Sequence, residues 1–236
     1  MTTHTTYNHL GQSIGLPIAD WQPRPWPPRT TMHGRTCHLE PLDPERHADE
    51  LYRAYSEDTD GRLWTYLSYG PFPSLAAFRT HLDKMSIEDD PLLYTIINHT
   101  SGQAEGVAGF LRITPAHGVI EVGHIHYAPC LQKTVVATEA MYLMMRRAFD
   151  ELGYRRYEWK CDALNAASRR AALRLGFTFE GIFRQAIVYK GRNRDTAWFS
   201  ITDSEWPAIK QAFETWLDPT NFDDKGQQRQ PLTARK

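Results

Sequence analysis

The segment from Gly118 to Gly153, GVIEVGHIHYAPCLQKTVVATEAMYLMMRRAFDELG, constrains the fold more than any other part of the chain. Its first part, Val119 to Ala128, is dense in β-branched and aromatic residues and closes at Pro129, which reads as a strand with a sharp stop. Its last part sets Ala137, Met141, Met144, Met145, Ala148, Phe149 and Leu152 on one stripe at helical spacing. Glu139 reads as a first-turn acid, Arg146 and Arg147 as bases near the end, and Gly153 as the C-terminal cap. A strand that feeds straight into a helix leaves the first-turn N–H groups without partners inside the helix. With the helix dipole they form a place for an anion, most naturally a phosphate. An ordinary β–turn–α unit shares the pattern, so the rest of the chain has to support the reading.

Residues 1–33 form an arm in which Pro17, Pro23, Pro25, Pro27 and Pro28 surround Trp21 and Trp26. The prolines forbid a continuous helix and favour extended backbone. The tryptophans carry apolar area to bury, against the domain or a partner subunit. The domain proper is expected over residues 34–217, with a polar, disordered tail over residues 218–236.

Within the domain, Arg35 to Leu42 reads as a strand, Pro44 opens a helix with Ala48, Leu51, Ala54 and Tyr55 on one stripe, and a second helix spans Leu75 to Met85. Between them lies a bend rich in Trp64, Tyr66, Tyr69 and Phe72, either core packing or the wall of a pocket. LLYTIINH and AEGVAGFLRI form a hairpin by spacing, and the central strand and helix follow. Then come the strand YRRYEWKCDA, a helix capped by Asn165 and ended at Gly176, two strands meeting around Lys190–Asn193, and a short closing helix. The order β-α-α-β-β-β-α-β-α-β-β calls for an α/β (α+β) architecture, a mixed sheet with helices on its faces.

Composition narrows the class. A chain of 236 residues with a net charge of −1 has no field that would draw it to nucleic acid or to an anionic membrane. Cys37, Cys130 and Cys161 are widely spaced, without a C-x-x-C metal pattern, and suit a reducing compartment. The chain has no apolar run of about 18 residues and begins MTTHTTYNHL, without a basic-then-apolar leader, so the expectation is cytoplasmic.

Four features together resemble the GNAT superfamily of acyl-CoA-dependent N-acetyltransferases, and within it the branch of the ribosomal-protein N-terminal (RimJ/RimL-like) enzymes. They are Leu39-Glu40-Pro41-Leu42, the strand–loop–helix with Ala137-Thr138-Glu139-Ala140, the helix start Asn165-x-x-Ser168, and Leu175-Gly176-Phe177-x-x-Glu180-Gly181. The resemblance covers roughly residues 34 to 210. It implies a mostly antiparallel central sheet with helices on both faces, and acetyl-CoA as cosubstrate without a metal. In the family a Q/R-x-x-G-x-G/A loop binds the pyrophosphate through backbone amides. The matching run here is Gln132, Lys133, Thr134, Val135, Val136 and Ala137, continuing to Thr138. Val135 stands where the family has glycine. Asn165 and Ser168 fall at positions beside the pantetheine arm, and Arg169, Arg170 and Arg174 lie on one helix, where they could reach phosphates or form a solvated basic face, with Arg170 taken as the binding candidate.

The implied reaction moves an acetyl group directly to a primary amine, of a protein N-terminus or a small molecule. The protein must align the amine with the carbonyl, remove a proton and release a thiolate. Glu121, on the central strand, is the first candidate for the base. Strand alternation puts Glu121 on one face with Gly123, Ile125 and Tyr127, and puts His124 and His126, the alternative bases, on the other. The family's usual acid, a tyrosine, is replaced here by Ala172, and Ser168 is the substitute. The acidic residues Glu57, Asp58, Asp60, Glu88, Asp89 and Asp90 could attract a cationic amine or form a solvated face. The resemblance also implies a possible homodimer. A second reading, kept open by Val135 and Ala172, is a degenerate fold serving as an acyl-CoA sensor or interaction module.

Overall fold

The computed structural model describes residues 5–234. Its main sheet joins, in spatial order, β3 (Met32–His33), β4 (Cys37–Pro41), β5 (Leu92–Asn98), β6 (Ala104–Thr114), β7 (Val119–Tyr127), β8 (Arg156–Asp162), β10 (Arg192–Thr202) and β9 (Thr178–Tyr189). All neighbours in this sheet are antiparallel except β7 and β8, which run parallel. A parallel pair needs a crossover, and α3 (Val135–Arg146) supplies it. The expected domain order holds throughout, with α1 (Pro44–Tyr55) and α2 (Leu75–Ser86) between β4 and β5, α4 (Ala166–Arg174) between β8 and β9, and α5 (Trp206–Leu217) last. A separate hairpin, β1 (Thr5–Tyr7) with β2 (Ser13–Gly15), precedes them.

Local chemistry accounts for the helix starts. Asp43 caps α1 by accepting from Glu45 and Arg46 N–H, with Pro44 in the first turn. Ser74 accepts from Ala77 N–H to cap α2, Thr134 from Ala137 N–H to cap α3, and Asn165 from Ser168 N–H to cap α4. The helices divide the core in two. On one face α3 and α5 cover Leu39, Tyr94, Phe110, Ile120, Val122, Tyr157 and Phe199. On the other, α1 and α2 bury Leu51, Tyr55, Phe78 and Leu82 with Trp64, Leu93 and Val107.

Three details differ from the sequence reading. The helix begins at Val135, so Glu139 lies beyond the first turn. Buried there, it accepts from Arg35 N–H at 2.8 Å, Thr36 N–H at 2.6 Å and the Thr36 hydroxyl, and so fixes the entry into β4. The helix then widens into a π turn over Arg147–Glu151. This carries buried Arg147 to the carbonyls of Thr30 at 2.7 Å and Thr31 at 3.1 Å. Finally, the polar tail folds back, burying Leu232 and Ala234 in the core, and Trp216 donates to Gln228 at 2.9 Å.

The arm is extended, as its prolines require, and it lies along the end of the sheet where β7 and β8 begin. Trp21 donates to Ala116 O at 2.9 Å, Tyr154 donates to Pro25 O at 3.1 Å, and Tyr94 donates to Pro28 O at 2.8 Å. Gly118, at φ +60°, makes room for it, since a Cβ there would sit 2.6 Å from the Trp21 ring.

Candidate active site

The site begins where the parallel pair separates. β7 and β8 are in register at four positions, from Val119 with Arg156 to Val122 with Trp159, and beyond these they part. The second half of β7 is therefore laddered only to β6. The gap opens toward the capped N-termini of α3 and α4, so unpaired strand backbone and two positive helix ends face the same space.

A bulge marks the same point. Two steps of β6, Val107 to Gly109, face three steps of β7, His126 to Gly123, and His124 takes a left-handed φ of +49°. The extra residue reverses the alternation. Ile120 and Val122 belong to the α3 core, and so do Ile125 and Tyr127 after the bulge. Glu121, His124 and His126 all turn to the opposite, α1–α2 face. The expected grouping of Glu121 with Ile125 and Tyr127, apart from the histidines, is corrected here. A period-2 count cannot register an inserted residue.

The three candidate bases differ in their surroundings. Glu121 is buried, with Oε1 accepting from Arg112 at 2.7 Å and Oε2 2.8 Å from Lys160 Nζ, an ion pair by distance though off a hydrogen-bond line. Burial pushes its carboxyl up, while Lys160 and Arg112 pull it back. Lys160 also pairs with Glu158 at 2.7 Å and sits 3.7 Å from the centre of the Trp198 ring. His126 is sealed against Tyr55, its ring centre 3.8 Å away, and Trp64 at 4.1 Å, with Nε2 buried and without a hydrogen-bond partner among the described residues. Burial, then His81, pushes it down to about 3. His124 is pushed down to about 4, chiefly by burial, and its Nδ1 lies 3.2 Å from the Tyr69 hydroxyl.

Across the gap the cofactor candidates fall at the two helix starts. Lys133 takes a left-handed φ of +62° and turns the chain into α3. Thr134 caps that helix, and Val135 and Val136 pack against the apolar core. Gln132 is exposed and donates to Tyr127 O at 3.1 Å. Ala137 and Thr138 are buried in the first turn. Asn165 spends its side-chain oxygen on the α4 cap, 3.0 Å from Ser168 N. Ser168 Oγ accepts from Trp159 Nε1 at 2.9 Å, and its own proton faces the Cys161 thiol, whose pKa that hydrogen bond lowers against the rise from burial. Arg170 is exposed and makes no contact with these residues among the described ones. Arg174, one turn later, reaches Thr138 Oγ1 at 3.1 Å and lies over Trp216 at 5.2 Å. It pairs with no carboxylate among the described residues, and burial lowers its guanidinium below the ordinary value. The sequence showed three arginines on α4 without showing which one points at α3.

The aromatic bend closes the α1–α2 side. Lys190 donates to Trp64 O at 2.7 Å, Arg192 to Thr65 O at 2.9 Å and Tyr66 to Leu164 O at 3.1 Å, tying the bend to the β9–β10 turn and to the loop before α4. Much of the acidic charge on this side is locally engaged, Asp90 with Arg112 and Ile113 N–H, and Asp89 with Arg29. Asp58 and Asp60 line a cleft with Tyr52, Trp64 and Phe72. Among the described residues there is no cluster of three or more metal-ligating side chains, and no helix is long and apolar enough to cross a membrane.

Residues 37–178 match the family model for the acetyltransferase (GNAT) domain. The chain belongs to the GNAT acetyltransferase family. As a GNAT protein it is an acyltransferase, and its sheet, mostly antiparallel with helices on both faces, is the expected one. It is 51% identical to a GCN5-related N-acetyltransferase from Brucella melitensis, with a TM-score of 0.90 over 92% of this chain and 98% of that one. A GNAT-family structure from Chromobacterium violaceum is 44% identical, with a TM-score of 0.77 over 82% of this chain and 96% of that one. The uncharacterized N-acetyltransferase p20 of Bacillus licheniformis is 26% identical over 67% of this chain and 89% of its own length. At the level of fold alone, the GNAT chain also resembles the ribosomal L7/L12 acetyltransferase RimL in complex with coenzyme A, at 21% identity and a TM-score of 0.62 over 74% of this chain and 99% of that one.

Proposed function

We propose that the protein transfers the acetyl group of acetyl-CoA to a primary amine, with the thioester seated where β7 and β8 part. The observation that carries this reading is that separation, after Val122 and Trp159, in front of the N-termini of α3 and α4. RimL, which shares the fold, binds coenzyme A. In this chain the N–H groups at the start of α3, with Lys133 and Arg174, would hold the phosphates, while Asn165 and Ser168 border the pantetheine arm. Val135 packs its side chain against the core, which leaves the backbone in front of it approachable. The cosubstrate supplies an activated acetyl carbon, and the chain supplies alignment, a polar lining and exclusion of water. Ser168, oriented by Trp159, would donate toward a departing thiolate by turning its proton away from Cys161.

The acceptor reaches the gap from the α1–α2 face. Glu121 has both oxygens engaged and His126 is sealed, which leaves His124 as the side chain of β7 nearest the entering amine. The cleft of Asp58, Asp60 and four aromatic rings, in which Asp60 also pairs with Arg62 at 2.7 Å, favours a cationic amine, protein N-terminus or small molecule. The three cysteines stand as free thiols, which supports work in the cytoplasm. The outer strand β9 exposes Phe183 and Val188, which supports a homodimer.

The test is acetyl-CoA binding by calorimetry, on the wild type and on Val135→Gly, with thiol release followed across a panel of amines. Binding with release for one amine class is the expected result. Binding without release for any amine would favour the sensor reading, and absent binding that the glycine restores would mean that Val135 disables the site.

A further inference from the structure

The bulge in β7 places His124 where the strands part, and one of its ring nitrogens is already committed. Nδ1 is 3.2 Å from the Tyr69 hydroxyl, and the two rings stack 5.8 Å apart, within 7° of parallel. Tyr69 has no other hydrogen-bond partner among the described residues, and Nε2 of His124 has none at all among them. A part-buried O–H without an acceptor costs free energy, and Nδ1 is the acceptor at hand. A neutral imidazole carries a single proton, so when Nδ1 accepts, the proton resides on Nε2.

We propose that Tyr69 holds His124 as the neutral Nε2–H tautomer, so that His124 donates a hydrogen bond to the oxyanion of the acetyl-transfer intermediate instead of taking the amine's proton. This rests on the acetyl-transfer reading above. Tyr69 is then a positioning residue, acting through His124. The groups facing the imidazole are Tyr69 from the aromatic bend, His81 from α2, Arg112 from β6 and Asp90 from the loop before β5. Burial, then His81 and Arg112, hold the ring near 4 against the opposing pull of Asp90, and burial keeps Tyr69 far above 10. Both groups therefore stay neutral across the working range, and the donor does not titrate away.

The step balances without a proton on His124 being gained or lost. The entering ammonium first gives one proton to water, and the lone pair so freed forms the C–N bond as the carbonyl π pair moves to oxygen, where Nε2–H meets it. As the carbonyl reforms, the C–S bond breaks and its electrons leave with the thiolate of coenzyme A. The nitrogen, positively charged after attack, sheds a second proton to water.

The decisive measurement is a long-range ¹H–¹⁵N spectrum of the full-length protein labelled at histidine, read together with steady-state kinetics. The wild type is expected to show His124 as Nε2–H, and Tyr69→Phe to lose that single tautomer. Tyr69→Phe should lower kcat while leaving the KM for acetyl-CoA in place. His124→Ala should lower kcat about 10²- to 10³-fold, the usual loss for one oxyanion donor. His124→Gln, which keeps an N–H donor and cannot take a proton, should recover much of that loss. A wild-type Nδ1–H tautomer would overturn the proposal, and so would a rate limb between pH 5 and 8 that disappears in His124→Gln. Absence of turnover with every amine would sink the acetyl-transfer reading, while the spectrum alone still decides the tautomer.

Discussion

The two halves of β7 differ in both pairing and surroundings. Val119 to Val122 are laddered on both sides and hold Glu121 in a buried network with Arg112 and Lys160. Gly123 to Tyr127 keep only the β6 side, step through a left-handed residue, and carry His124 and His126 into aromatic surroundings. One half spends its backbone and charges on rigidity. The other half leaves one backbone edge unpaired, which opens room beside the strand. Strained and incompletely paired backbone belongs at functional places when the surrounding structure can hold it.

The largest expected effect breaks the rigid half. Lys160→Met would leave Glu121 and Glu158 buried together without their shared cation, at a cost of about 3–5 kcal/mol in unfolding free energy by denaturant titration. A wild-type-like midpoint would show that the network contributes little.

The open half should appear in the pH dependence. His124 and His126 are held near 4 and 3, against an ordinary 6.5 in the unfolded chain. Between pH 6.5 and about 4 the unfolded chain binds protons that the folded chain refuses, so stability falls as pH falls. Each such histidine contributes about 1.4 kcal/mol per pH unit. His126→Phe removes one of them and should flatten the slope of stability against pH by that amount. An unchanged slope would mean that His126 is protonated in the fold.

Smaller effects separate the two helix starts that face the gap. Thr134→Ala and Asn165→Ala each remove a cap, worth about 1 kcal/mol in thermal or chemical unfolding. The finest comparison lies along α4. Arg174→Ala should weaken acetyl-CoA roughly tenfold in calorimetry, the loss of one charged hydrogen bond, whereas Arg170→Ala should leave it unchanged. Equal losses would show that position along α4 is not what selects the arginine.

Much of this was legible in the sequence because it rests on local chemistry. Pro44, Asn165 and Gly153 are punctuation, and the apolar stripe of α3 has a period that only a helix satisfies. The hairpin of β5 and β6 and the family resemblance carried the topology. The errors share a physical cause, dependence on a neighbour far along the chain. Glu139 reads as a dipole partner until the turn at Arg35 and Thr36 is seen beside it. The tail reads as polar until Leu232 finds the core. The aromatic bend was ambiguous because Tyr69 meets His124 across 55 positions of sequence.

The sequence by itself determined the elements, their order and the family, since periodicity, caps and turn residues act within a few positions of one another. Only the tertiary structure decided which face each residue of β7 presents, which arginine of α4 reaches α3, and which carboxylate is already neutralised. Those outcomes depend on where β6 and β8 lie against β7. The bulge at His124 shifts the register by one residue, and that shift turns the ends of the same strand toward different chemistry.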